Sequence, residues 1–154
     1  MTCPLDHENN SPWDQHGNIK KYHGTNALYT DQGVAALIQD LKQRGMLDST
    51  VVIWAGEMGR TPHAKEITDN VGRDHHVNGY SIFIAGGGFK KGFTYGATDE
   101  FGNSVVENPL TVHDVHATVL HQLGIDHRRL TFRFGGRDVS LTDVHGQVVR
   151  ELLA

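Results

Sequence analysis

The sequence predicts an α/β layered domain with a mainly parallel sheet, and three observations carry that prediction. A helical stretch precedes a continuous apolar run, Val51-Val52-Ile53-Trp54-Ala55. A second apolar run, Tyr80 to Ala85, follows a glycine-punctuated loop, and a second helical stretch comes after it. Both runs are continuous rather than alternating, as in strands covered on both faces. Helix, strand, loop, strand is the order in which such a domain opens.

The elements follow in order. Residues up to about 27 are polar, with Pro4, Pro12, Gly17 and Gly24, and read as coil. A helix is expected from about Asp31 to Arg44, where Val34, Leu37, Ile38 and Leu41 recur at helical spacing and Leu28 extends the stripe. Thr30 or Asp31 can cap its start, and Gly45 suits its stop. Residues 89 to 108 carry Gly92, Gly96 and Gly102 and suit a small hairpin or an irregular excursion. Thr111 to Leu123 reads as the second helix, with Thr111 and Asp114 as a capping box and Val112, Val115, Val119 and Leu123 as its stripe. A short closing helix is expected near Gln147 to Leu153.

At 154 residues the chain is one domain's worth, with 38% hydrophobic residues. Its net charge of -4 argues against a nucleic-acid binder, which would show a basic stripe. No apolar run approaches the roughly 20 residues of a membrane span. Met1 to Asn10 shows no signal-peptide pattern, which leaves the compartment open. The single cysteine, Cys3, excludes an internal disulfide. Of the 11 histidines, His113 and His116 lie one helical turn apart, but with no HExxH pattern or paired carboxylate beside them.

Three loop-like stretches carry the chemistry: Trp13-Asp14-Gln15-His16-Gly17-Asn18, Gly56-Glu57-Met58-Gly59-Arg60-Thr61-Pro62 and Gly72-Arg73-Asp74-His75-His76. Asp, Glu and His bind divalent metals, and Arg clamps oxyanions. In α/β sheets ligands collect at the carboxyl ends of strands, and Glu57 stands just past the first strand. Asp14-x-His16 can present two ligands to one cation; the alternative is a turn in which Asp14 bonds local backbone. Glu57 can bind a cation while Arg60 and Thr61 hold an anionic ester oxygen; the alternative is a Glu57–Arg60 surface ion pair. Asp74 beside His75 suits a metal site, as a ligand or as the group that orients the histidine; the alternative is a solvated loop.

These stretches also resemble a known family. The blocks Asp40 to Asp48, Ala85-Gly86-Gly87-Gly88-Phe89, Tyr95-Gly96-Ala97-Thr98-Asp99 and Leu123-Gly124-Ile125-Asp126 join the three loops in looking like the sulfatase-like domain-of-unknown-function family, number fifteen-oh-one, of the alkaline phosphatase superfamily. The resemblance runs from about Pro12 to the end, which makes 12–154 a partial domain behind an irregular leader, 1–11. It implies an α/β/α sandwich with metals at the strand ends and hydrolysis of phosphate or sulfate esters; relatives are often exported. It further implies Asp14, His16 and His75 on one metal. Glu57 stands where the superfamily usually has the Asp of a second metal's Asp-His pair, but Met58 replaces the histidine.

The expected site is therefore a metal set of Asp14, His16, Glu57, Asp74 and His75 with Arg60 as anion clamp. The expected cofactor is a divalent metal (zinc, manganese, iron or calcium), and the expected ligand a small anionic ester. Thr2, Cys3 and Ser11 lie in no strand-then-helix context, so no nucleophile is recognised. The chain then reads as the carboxyl-terminal portion of a longer domain, weakly active alone. The rival expectation is a non-catalytic metal- or anion-binding module that assembles with a partner or with itself through an uncovered sheet edge.

Overall fold

The protein's structure, a computed structural model, describes residues 13–154; Thr2, Cys3, Ser11 and the leader expected over 1–11 lie outside the described residues. Helix α1 spans Ile19–Gln43 and begins twelve residues before the expected start at Asp31. Local capping does not set this start. Asn18 adopts a left-handed conformation at φ 52° and makes no side-chain cap. Instead, the Asn18 and Ile19 amides donate to the Asn70 and Val71 carbonyls, at 2.9 and 3.0 Å. A distant loop thus satisfies donors that a helix start leaves orphaned, and residues 19–27, expected as coil, join the helix. Val34, Ile38 and Leu41 are half-buried and Leu37 is exposed.

A 3₁₀ turn, Leu47–Ser49, leads into β1, Val51–Trp54. Its partner is β4, Phe83–Gly86, and the pair is antiparallel, with Val51 opposite Gly86 and Trp54 opposite Phe83. This corrects the expected parallel pairing. A parallel neighbour needs a crossover, usually a helix, that returns the chain to the starting end. Residues 55–82 contain no helix and leave and re-enter the ladder at the same end, so β4 must run back along β1. The expected burial on both faces also fails, since Ile53, Trp54 and Phe83 are each about half exposed.

Within that excursion, β2 (Gly59–Arg60) pairs antiparallel with β3 (His75–His76). The hairpin option for 89–108 is realised as β5 (Ala97–Thr98) against β6 (Val105–Glu107). The Asp99 carboxylate closes its turn by accepting the Phe101, Asn103 and Ser104 amides. Helix α2, Val112–Gln122, starts at the expected capping box: the Thr111 hydroxyl accepts the Asp114 amide and the Asp114 carboxylate accepts the Thr111 amide. Its buried residues are Ala117 and Thr118, whereas Val112 and Leu123 of the expected stripe are exposed.

Strands β7 (Thr131–Phe134) and β8 (Arg137–Ser140) form a last hairpin. The tail docks on α2. Thr118 Oγ1 accepts the Val149 amide at 3.0 Å, and the Asp114 carboxylate accepts the Gln147 amide at 2.8 Å. The expected closing helix is only a 3₁₀ turn, Arg150–Leu152, because the backbone here bonds elsewhere. Ala154 donates to Gly88 and Lys90 to Leu152. The described residues therefore mix helix with four two-stranded antiparallel sheets. No helix among them is long and apolar enough to cross a membrane.

Candidate metal centre

Backbone pairing brings the three loops together at the Trp54 end of β1. Arg73 donates its amide to the Gln15 carbonyl, and the Asn18 and Ile19 bonds to 70–71 continue the same zipper. Gly72 is the point of closest approach. A Cβ there would lie about 2 Å from the His16 backbone, so only glycine lets the strands meet. The second and third loops are joined by β2–β3 and by the Thr61 amide, which donates to the Asp74 carbonyl at 2.9 Å. Trp13 packs edge-on against Trp54, with ring centroids 6.3 Å apart, which sets the first loop beside the end of β1.

Asp14, His16 and His75 converge in this frame, each offering one ligand atom, all within 4.8 Å of one another. Asp14 Oδ1 lies 3.2 Å from His16 Nε2 and 2.9 Å from His75 Nε2. The two imidazoles stack at 5.2 Å between centroids. Asp74 Oδ1 holds His16 Nδ1 at 3.0 Å, and Glu57 Oε1 lies 3.6 Å from His75 Nδ1. Of the five residues expected as metal ligands, three thus face one point and two stand behind the histidines. A carboxylate behind an imidazole fixes the ring and raises its basicity as a ligand.

The donor set fits a small cation. Ligands about 2.1 Å from a tetrahedral metal lie roughly 3.4 Å from each other, close to the observed carboxylate–imidazole separations.

Arg60, expected as the anion clamp, lies against Asp14. Its Nη1 donates to Asp14 Oδ1 at 2.5 Å, while Nη2 makes 3.4 Å contacts to the Trp13 carbonyl and Glu57 Oε1. The Glu57–Arg60 ion pair, the alternative to a functional reading, is present, but as the longer of two carboxylate contacts. The hydrogen bond from Arg60 holds the Asp14 carboxyl below its usual range; desolvation opposes this, and the charges of Arg60, His16 and His75 reinforce it. Thr61 Oγ1 donates to the His63 carbonyl and accepts the Asp74 amide, so its hydroxyl positions backbone.

The α2 histidines join no metal group among the described residues; His113 packs against His145 at 5.8 Å. Two residues that the motif stretches contain without an assigned role shape the site: Gly72 by its missing side chain and Trp13 by its carbonyl and ring. Their roles depend on contacts with residues far along the chain.

No curated protein and no solved structure matches the chain. The model of a family described as "Protein of unknown function (DUF1501)" matches residues 4–153, and the chain belongs to that family.

Proposed function

We propose that the chain is a metal-dependent hydrolase-type domain acting on phosphate or sulfate esters, related to the sulfatases of the alkaline phosphatase superfamily. The Asp14–His16–His75 cluster carries this reading, with its three ligand atoms already at metal-bridging separations and a carboxylate behind each imidazole. The kinship with the superfamily and its α/β/α sandwich rests on the order of motifs, not on the sheet, whose β1–β4 pair is antiparallel. A divalent cation at the cluster would supply charge to polarise an ester oxygen.

Asp14, His16 and His75 would hold the cation, and Asp74 and Glu57 would keep the two rings oriented. Two nitrogens and one oxygen suit zinc, manganese or iron better than calcium, which prefers all-oxygen shells. The Thr61 hydroxyl is committed to backbone, and no other side chain is assigned as nucleophile. If the site acts without a covalent intermediate, each barrier stays higher, and turnover is then expected to be slow, by roughly a thousandfold or more.

Elemental analysis of the purified protein, paired with assays of aryl phosphate and aryl sulfate hydrolysis in added zinc or manganese, tests this reading. About one equivalent of metal, lost in His16→Ala together with any hydrolysis, is the expected result. Failure of the wild-type chain to retain or bind any divalent metal would refute it.

A second reading, a non-catalytic binding module completed by a partner, is favoured by the surface. Among the described residues, Ile53, Trp54 and Phe83 of the β1–β4 pair leave large apolar groups about half exposed. Stoichiometric metal with no hydrolysis of any ester would select this second reading.

A further inference from the structure

We propose that Arg60 is a displaceable counter-cation: it neutralises Asp14 when the site lacks metal and passes to a tetrahedral oxyanion when a divalent cation takes the Asp14 carboxylate. The inference rests on the metal-binding reading above and adds a role for Arg60 that the ligand set alone does not contain.

The geometry is specific. Arg60 bonds Oδ1 of Asp14, the same oxygen that faces His16 Nε2 and His75 Nε2. A cation held by Asp14, His16 and His75 would share the Asp14 carboxylate with a guanidinium already in contact with it. Two cations on one carboxylate oxygen repel each other, so metal entry weakens the Arg60–Asp14 bond. The other contacts of the guanidinium are long, at 3.4 Å, and do not fix the head group.

Its backbone, by contrast, is fixed. Arg60 lies opposite His75 in the β2–β3 ladder, so a released side chain stays beside the cluster. The Arg60 side chain is only 18% exposed. A guanidinium so covered needs an anionic partner, and its planar fork matches the oxygens of phosphate or sulfate. An oxyanion bound at the site would offer Arg60 oxygens in place of the Asp14 carboxylate. Metal and oxyanion should then bind with positive coupling, each raising the affinity of the other.

Calorimetric titration of manganese(II) into the wild-type chain, Arg60→Gln and Arg60→Lys, with and without inorganic phosphate, tests this. The Nε resonance of Arg60 in the wild-type chain is followed through a parallel titration with diamagnetic zinc(II). Without phosphate, Arg60→Gln is expected to bind manganese about tenfold more tightly than wild type, because the competing cation is gone. Phosphate should tighten manganese binding to wild type by about fivefold or more, leave Arg60→Gln unaffected and act less on Arg60→Lys, which keeps the charge but loses the fork.

The Arg60 resonance should shift on metal addition and again with phosphate. Equal or weaker manganese binding by Arg60→Gln, or an unmoved Arg60 resonance during saturable binding, overturns the inference while leaving the metal reading intact. No manganese binding by wild type overturns both. If Arg60→Gln does not fold, as judged by circular dichroism, the wild-type resonance and Arg60→Lys still decide.

Discussion

Arg60 and His75 lie directly opposite each other in a two-residue antiparallel ladder, and both side chains reach the same oxygen, Oδ1 of Asp14. Cross-strand partners project from the same face of a ladder, so β2–β3 alone delivers a cation and an imidazole to one carboxylate. The first loop then has only to bring Asp14 and His16 within reach, and the backbone bonds between residues 15–19 and 70–73 do this. Four further expectations follow from this construction and from the helix that anchors the tail.

Gly72→Ala should dismantle the centre without touching a ligand. The new Cβ would fall about 2 Å from the His16 backbone, and backbone cannot step aside as a flexible side chain can. Overpacking of this kind costs about 1–3 kcal/mol. A lower thermal midpoint together with loss of metal binding is expected, read by calorimetry and by metal titration. Unchanged metal affinity in a folded Gly72→Ala protein would show that the two loops need not touch.

Asp74→Asn should weaken metal binding by about 10- to 100-fold, since a carboxylate behind a ligating imidazole typically contributes that much. His16→Ala should lose more, because it removes the ligand itself. Titrating both variants with zinc gives the ranking. An Asp74→Asn protein that binds as well as wild type would mean that the 3.0 Å contact to His16 Nδ1 is incidental.

Asp114 should make stability depend on pH in the acid range. Burial pushes its carboxyl up, but hydrogen bonds from the Thr111 hydroxyl and from the Thr111 and Gln147 amides, with the charge of His113, bring it below its usual value. The folded pKa is thus lower than the unfolded one. Its contribution is present above the unfolded pKa and is lost as pH falls through the folded one. Asp114→Asn should cost about 1 kcal/mol near neutral pH and flatten the acid limb of a denaturation series.

Thr118→Val tests the docking of the tail. Thr118 is almost wholly buried, donates to the Asp114 carbonyl at 2.7 Å and accepts the Val149 amide. Valine keeps the shape but leaves that buried amide without an acceptor, at about 1–3 kcal/mol. Urea denaturation should show the loss. A variant as stable as wild type would indicate that residues 147–154 detach without consequence for the rest.

Much of this protein was legible in one dimension because its signals are local. The capping box of Thr111 and Asp114 and the short hairpin after Gly92 follow from side chains meeting backbone a few residues away. The three loop motifs were legible too, since Asp, His, Glu and Arg in glycine-rich stretches are few and their chemistry is fixed by residue type. Only the tertiary structure decided the rest. Helix α1 starts at Ile19 because carbonyls fifty residues away accept its first amides, and β4 runs against β1 because residues 55–82 return to the end they left. Glu57 and Asp74 stand behind the histidines rather than in front of them, and Arg60 grips Asp14 rather than open space. A carboxylate's residue type gives its chemistry, but which atom it faces depends on separations of about 3 Å between segments far apart in the chain, and spacing along a sequence does not encode those.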